Sequence, residues 1–417
     1  MKNKIFVSIF ISIILTQTTF AFDIERRKDQ YSSTPAYLLV PAPYSIPGIG
    51  KGLFLLGMAN NINNTQTDFL ADIITGDVSG YGVGVMEWYV IDKHLKLDIF
   101  QEGLNKATFQ SYATRGMNSD KDDFIYIGVD NMKFTGMRAT ASFYEKMLEF
   151  YLMGYSNRYN IGKLEDKDNH LILDSTTNQT QKSMIYTSGF MIDYTDDRVD
   201  PRIGIRFDGS LDYSKNSAQT DTADFYIANY NLTGYIPIGE ISTIAFNYFR
   251  SDAHLKQAGE TDFTKVSQKL GLDCSSLSGI YKQNCESVVN NQILANQNGT
   301  ATSLGGRTRL RSYPEMRFNG AHTEFYGTEL RWNWTEETTP FDIWFMKDIR
   351  TSIQSSLFYE KGSVAENSND LGKNEKKSYG TGLRMITGSG LVYRFDVAFG
   401  DEGYEYTMII NYPWELF

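Results

Sequence analysis

The strongest constraint on this chain is a two-residue period that recurs along most of its length with no helix to cover it. It is clearest between Leu391 and Phe399. Leu391, Tyr393, Phe395, Val397 and Phe399 fall on one face, with Val392, Arg394, Asp396 and Ala398 on the other. Strand side chains alternate between faces, so one face is apolar and the other polar or small. Met184, Tyr186, Phe190, Ile192 and Tyr194 repeat the pattern against Thr187, Gly189 and Asp193. So do Ile203, Ile205, Phe207, Leu211 and Tyr213 against Arg206, Asp208 and Asp212. Tyr326, Leu330, Trp332 and Trp334 oppose Glu329, Arg331 and Asn333, and the last strand aligns Tyr404, Tyr406, Met408, Ile410, Tyr412 and Trp414. A soluble sheet would need a second layer over each apolar face, and no convincing amphipathic helix supplies one. Lipid is the simpler partner. A sheet in lipid must close on itself, because open edges leave backbone groups unpaired. The expected fold is therefore all-β, a transmembrane antiparallel β-barrel.

The bulk numbers agree. Mean hydropathy is −0.36, too polar for a helical membrane protein, and after the first twenty residues no apolar run is long enough to span as a helix. A membrane barrel tolerates that average because only every second residue meets lipid. The 27 Tyr and 35 Gly favour one. A net charge of −10 argues against nucleic acid as a partner.

Residues 1–21 carry Lys2 and Lys4, an apolar run from Ile5 to Leu15, and a small-residue site ending at Ala21. That is the pattern of a cleaved signal peptide; the run is too short for a membrane anchor. Residues 22–50 are polar and then Pro-rich (Pro41, Pro43, Pro47), which reads as a short periplasmic connector. The barrel is expected over residues 51–417. Strands read backwards are 403–414, 390–400, 377–387, 350–361, 323–334, 241–251, 224–237, 201–214, 183–197, 146–158 and 131–144. They continue with 122–130 or 107–115, then 93–103, 79–91, 67–76 and 51–61. The count is 16, or 14 if residues 105–130 form a loop. Short connections at 144–146, 238–241 and 387–390 fit the periplasmic side, and long ones at 159–182, 215–223, 252–322 and 362–376 the outside. Residues 255–322 form a connection long enough to be functional in its own right. Within it, Cys274 and Cys285 suit a disulfide in an oxidising compartment, with two free thiols as the alternative.

Enzyme chemistry is missing. His94, His170, His254 and His322 are scattered without ligand spacing, and no nucleophile elbow or phosphate loop occurs. No catalytic residue, metal or cofactor is expected.

The long connection also holds Leu304-Gly305-Gly306-Arg307-Thr308-Arg309-Leu310-Arg311-Ser312-Tyr313, followed by Arg317-Phe318. This resembles the sixth-loop motif of the BamA/TamA outer-membrane assembly superfamily: Gly-Gly, then aliphatic-Arg-Gly-aromatic. Ser312 departs from the usual glycine, which puts the tight backbone there in doubt. Asp197-Arg198-Val199-Asp200-Pro201-Arg202-Ile203-Gly204 looks like the family's periplasmic hairpin. Phe358-Tyr359-Glu360-Lys361-Gly362 is similar to its aromatic-x-Asp-x-Gly strand, with Glu360 for aspartate. Gly380 and Gly382, followed by Gly388-Ser389-Gly390, resemble its C-terminal hairpin, and Phe417 its terminal aromatic signal, against a frayed end.

The resemblance implies 16 strands and a long loop folded into the lumen, its arginine meeting an inward carboxylate. Alternation puts Ile353, Leu357 and Tyr359 on lipid and so Glu360 inside. Arg311–Glu360 is the expected lock, since a guanidinium fork grips a carboxylate well. The alternative is that Arg311 only plugs the pore beside Arg307, Arg309 and Arg317. Tyr313 is filler or a positioning group, and the glycines allow close approach or are ordinary bulge positions.

The implied function is assistance to outer-membrane protein assembly or polypeptide translocation. A seam between first and last strands, governed by the inward loop, would do the work. Expected partners are outer-membrane lipid and lipopolysaccharide, client outer-membrane polypeptides, or a separate periplasmic partner, since no substrate-binding repeats precede the barrel. The competing readings are a plugged channel or transporter for a small solute, and a surface antigen or adhesion barrel.

Overall fold

In the computed structural model the alternating segments form one closed antiparallel wall of sixteen strands. Residues 31, 33–112, 114–174, 180–215, 223–335, 341–343, 346–349, 351–387 and 391–415 are described. The strands are β1 (Ala36–Ile46), β2 (Gly50–Asn60), β3 (Asp68–Gly76), β4 (Ser79–Ile91), β5 (Leu95–Tyr112), β6 (Phe124–Phe143), β7 (Leu148–Glu165) and β8 (Thr180–Thr195). The second half comprises β9 (Gly204–Lys215), β10 (Asp224–Ile238), β11 (Ser242–Gln257), β12 (His322–Asn333), β13 (Thr351–Ala365), β14 (Lys376–Thr387), β15 (Val392–Gly400) and β16 (Gly403–Ile410). Three short strands, Leu171–Asp174, Phe341–Ile343 and Met346–Ile349, attach at the rims. Leu53, Ile73, Leu152, Tyr186, Leu211 and Leu357 are exposed on the outer face, as a lipid-facing row requires. No helix among the described residues is long and apolar enough to cross a membrane; strands do the crossing.

The count of sixteen matches expectation through two errors that cancel. The Pro-rich stretch assigned to a connector is β1, paired with β2 from Ala36–Asn60 to Ile46–Gly50, so the barrel begins at residue 36 rather than 51. Proline is excluded from central strands but tolerated on an edge, and β1 is the edge at which the wall closes. Conversely, 107–115 and 122–130 are not an extra strand. They are the outer ends of β5 and β6, paired from Lys106–Asp130 to Tyr112–Phe124.

β5, β6 and β7 run 18, 20 and 18 residues, about twice what a tilted crossing needs. Their outer ends carry the helical part of the long loop, α1 (Phe263–Leu270) and α2 (Gly279–Asn298). Ile125 and Leu164 pack there with Val266, Leu272, Val289 and the joined Cys274–Cys285 pair. Asp262 caps α1 by accepting from the Lys265 N–H at 3.0 Å.

The last strand is also shorter than its pattern. β16 stops at Ile410, and the chain then turns inward. Tyr412 and Trp414, expected in the lipid-facing row, are buried in the lumen. The expected signal peptide at 1–21, the Gly388-Ser389-Gly390 turn and Phe417 lie outside the described residues.

Candidate functional site

The long loop between β11 and β12 descends into the lumen and folds there into a compact knot. Leu304 and Phe318 close its base with two backbone hydrogen bonds of 3.0 and 2.9 Å. Gly305 and Gly306 make the turn at φ +107° and +97°. A Cβ would lie 2.4 Å from the Pro314 carbonyl oxygen at Gly305, and 2.1 Å from Glu315 Oε2 at Gly306. Only glycine fits both demands. Leu310, with φ +54°, turns the chain again and presents Arg311 at the tip.

Arg311 is fully buried and meets three carboxylates. Its Nε donates to Glu360 Oε1 at 2.9 Å, Nη1 to Asp396 Oδ2 at 2.9 Å and Nη2 to Glu329 Oε2 at 3.0 Å. Its backbone N–H adds a bond to Glu360 Oε2 at 3.0 Å, and its guanidinium lies 3.4 Å over the Phe358 ring. Burial pulls the Arg311 pKa down, but Glu360, Asp396 and Glu329 outweigh burial and hold it above its ordinary value. Arg309 is the contrast. It stacks 3.7 Å over Phe249, and burial, only partly offset by Glu360 and Asp208, draws it down to about 9.

Beyond the expected pair, the sequence reading missed the rest of a network. Arg384 donates to Glu329 Oε2 at 2.6 Å and Arg331 to Glu329 Oε1 at 2.9 Å, while Arg394 grips Asp396. Alternation already placed Glu329, Arg331, Arg394 and Asp396 on the polar face. What it lacks is the register between strands that makes β12, β13 and β15 residues converge on one guanidinium. The other loop cations each have a separate post. Arg317 holds Glu402 at 2.8 Å, and Arg307 faces Glu315 at 4.0 Å.

The remaining motif residues seat the knot against the wall. Tyr313 both packs and positions: its ring meets Phe318 at 5.1 Å and its hydroxyl donates to the Lys377 carbonyl at 3.1 Å. Ser312 has no left-handed backbone. Its N–H donates to Ser378 Oγ at 3.0 Å, and its side chain occupies space left by Gly400, where a Cβ would come within 2.3 Å of Ser312 Oγ. Ser312 is thus seated by its own N–H and by the space that Gly400 leaves. A Cβ on Gly362 would strike Leu304 at 2.7 Å, on Gly380 the Val397 carbonyl at 2.1 Å, and on Gly382 Asp396 Oδ1 at 2.1 Å.

The segment after β16 completes the site. Trp414 Nε1 donates to Glu360 Oε1 at 2.9 Å, and its backbone N–H to the Thr308 carbonyl at 3.2 Å. Its own carbonyl accepts from Asn231 Nδ2 at 2.9 Å and Arg309 Nη2 at 3.0 Å. Tyr412 lies under Arg331 and Arg384, 4.4 and 5.0 Å from its ring. Its hydroxyl donates to Asp200 Oδ1 at 2.9 Å. Asp200 belongs to the β8–β9 turn, which folds across the opposite mouth. There Asp197 Oδ1 caps the Val199 and Asp200 N–H groups at 2.7 and 2.9 Å. Arg198 reaches Glu149 at 2.7 Å, and Pro201 is buried. Gly204 (φ +118°) lets β9 start beside the Tyr194 carbonyl, 2.1 Å from where a Cβ would sit. Loop, tail and turn thus form one continuous plug.

Asp166, Asp168 and His170 meet on the exposed loop after β7, their ligand-type atoms within 4.8 Å of one another. Asp166 Oδ1 accepts the Asp168 and His170 N–H groups, so the cluster reads as a turn built on its own backbone.

No protein-family model and no curated protein matches the chain. Solved structures do. CdiB from Escherichia coli aligns over 93% of this chain and 69% of that one, at 10% identity and a TM-score of 0.52. BamA from Haemophilus ducreyi lacking POTRA domains 1-3 aligns over 92% and 76%, at 13% identity and a TM-score of 0.47. CdiB from Acinetobacter baumannii aligns over 93% and 66%, at 11% and 0.46. At these identities the likeness is one of fold. The sixteen-strand wall shares its fold with CdiB from Escherichia coli.

Proposed function

We propose that this barrel assists the insertion or translocation of polypeptides at the outer membrane, with the β1–β16 seam as its working edge and the Arg311 knot as its latch. The reading rests on one observation. Among the described residues a single Cα pair, Ser45–Met408, joins β1 to β16. By contrast, β1 pairs with β2 along its whole length and β15 with β16 from Tyr393–Ile410 to Gly400–Gly403. A seam this short costs little to open, whereas unlatching Arg311 exposes three carboxylates to an unfavourable environment. Its partners are client outer-membrane polypeptides, delivered directly or by a separate periplasmic protein, in a bilayer with lipopolysaccharide outside. Residues 1–21 serve as the export signal.

The test is a seam staple. Ser45→Cys with Met408→Cys, oxidised in a strain relying on this barrel, should stop heat-modifiable outer-membrane proteins from accumulating, and reductant should restore them. Undiminished assembly through a fully oxidised staple overturns the reading.

A further inference from the structure

The outer wall carries a row of cations that no carboxylate answers. Lys133 of β6 stands directly opposite Arg158 of β7, and Arg158 directly opposite Lys182 of β8. All three are exposed. Parity puts them on the outward face with Met137, Leu152 and Tyr186. Among the described residues none of the three has a carboxylate within ion-pair reach. Asp130, one level nearer the strand tips beside Asn160, leans over Gly162, where a Cβ would come within 2.4 Å of its Oδ2. Residues 175–179, close to Lys182 in the chain, include no acidic residue. Other outward cations are matched. Arg250 of β11 holds Asp252 at 2.6 Å, and Lys361 of β13 holds Glu375 at 3.0 Å.

Depth gives the row its meaning. Below it on the same face come Ser156–Met184, Gly154–Tyr186 and, nearer the short β6–β7 turn, Phe150–Phe190. β7 starts at Leu148, so Arg158 lies about ten residues up, the length of one tilted crossing. The row therefore marks the upper edge of the lipid-facing band, on the side of the long loop, which is the outside. Neighbouring strands are about 5 Å apart, and like charges directly opposite each other destabilise a sheet. On an open surface water and salt would screen the repulsion. Here one side of the row is hydrocarbon, so the charges call for an anion of their own.

We infer that Lys133, Arg158 and Lys182 dock the phosphates of an outer-leaflet glycolipid, the phosphorylated sugar head of lipopolysaccharide. Its acyl chains lie along the face below. Arg158, in the centre, grips phosphate oxygens with its fork, and the lysines flank it as point charges. Three cations in a line suit a head with more than one phosphate, whereas a glycerophospholipid offers one. The inference rests on the proposed place of the barrel in the outer membrane and not on its handling of polypeptides.

The experiment uses the full-length barrel folded in detergent micelles. Native mass spectrometry measures retention of bisphosphorylated lipid A, monophosphoryl lipid A and phosphatidylglycerol, with inorganic phosphate as competitor. Bisphosphorylated lipid A should be retained several-fold more than either other lipid, and it should raise the temperature at which the folded gel form is lost. Lys133→Gln with Arg158→Gln and Lys182→Gln should abolish both effects. Without lipid A that variant should hold its fold at least as well as wild type, because it sheds like-charge repulsion. Arg158→Lys keeps the charge without the fork and should fall between the two. Lys361→Gln removes a matched outward cation and should leave retention unchanged. Wild-type retention in the triple variant overturns the site, as does an equal loss in Lys361→Gln, which would mean diffuse attraction. Phosphatidylglycerol retained as well as lipid A overturns the glycolipid, and displacement by equimolar inorganic phosphate overturns the lipid source. No readout involves the seam, so a failed Ser45–Met408 staple test leaves this inference standing, and the reverse holds too.

Discussion

Where β12 to β15 face inward they present Glu329, Arg331, Glu360, Arg384, Arg394 and Asp396, all buried. Where β1 to β5 face inward they present Leu38, Tyr44, Phe54, Leu56, Leu70 and Leu104. Both sets line one barrel, yet they treat the loop in opposite ways. The charged half is filled: each carboxylate is met by a guanidinium, and Trp414 takes a remaining acceptor position on Glu360. Buried charges must be matched one for one, so they accept the knot in a single pose. The apolar half is left with a cavity, because greasy walls lose no hydrogen bond when nothing fills them. One half specifies its contents and the other only admits a class of them.

Five variants would break or sharpen that contrast. Arg311→Ala strands Glu360, Asp396 and Glu329 and should cost about 3–5 kcal/mol, seen as protease cleavage within residues 258–321 and a lower temperature for loss of the folded gel form. Arg311→Lys keeps the charge without the fork and should recover only part of this. Trp414→Ala removes a fully buried indole and its bond to Glu360, a loss of about 3 kcal/mol, read as the same loop exposure with β15–β16 intact. Cys274→Ser with Cys285→Ser should cost about 2 kcal/mol, confined to α1 and α2, since the pair packs on the projecting strands and not on the lock. Proteolysis near Arg311 in that variant would show that the outer helices and the knot are one unit. Leu56→Ala borders an existing cavity and should cost about 1 kcal/mol, at or below the low end for such truncations, with the folding transition almost unmoved. A loss as large as that of Arg311→Ala would mean the apolar half is a packed core.

The wall was legible because period two survives in most strands, and parity alone set Glu360 inside and Leu357 outside. Arg311 was legible because the loop's glycines and cations stand out in a chain otherwise built of alternation. Three things were not. Pro41 and Pro43 look like a linker until the strand carrying them is known to be an edge. The lengths of β5 to β7 are set by the helices they carry, whose contacts are long-range. Tyr412 and Trp414 continue the outward period of β16, yet they are drawn inward by Asp200 and Glu360, both far away in sequence. Periodicity reports which face a residue prefers; it says nothing of where a strand stops being a strand.

Trp414 ties the end of the wall to its contents. It lies against Thr308 and Glu360, deep inside, yet it follows the final wall strand. The residues trailing β16 therefore belong to the lumen and not to the ring that β16 completes. A polypeptide cut at Ile410 would own all sixteen strands and still leave Glu360 one donor short.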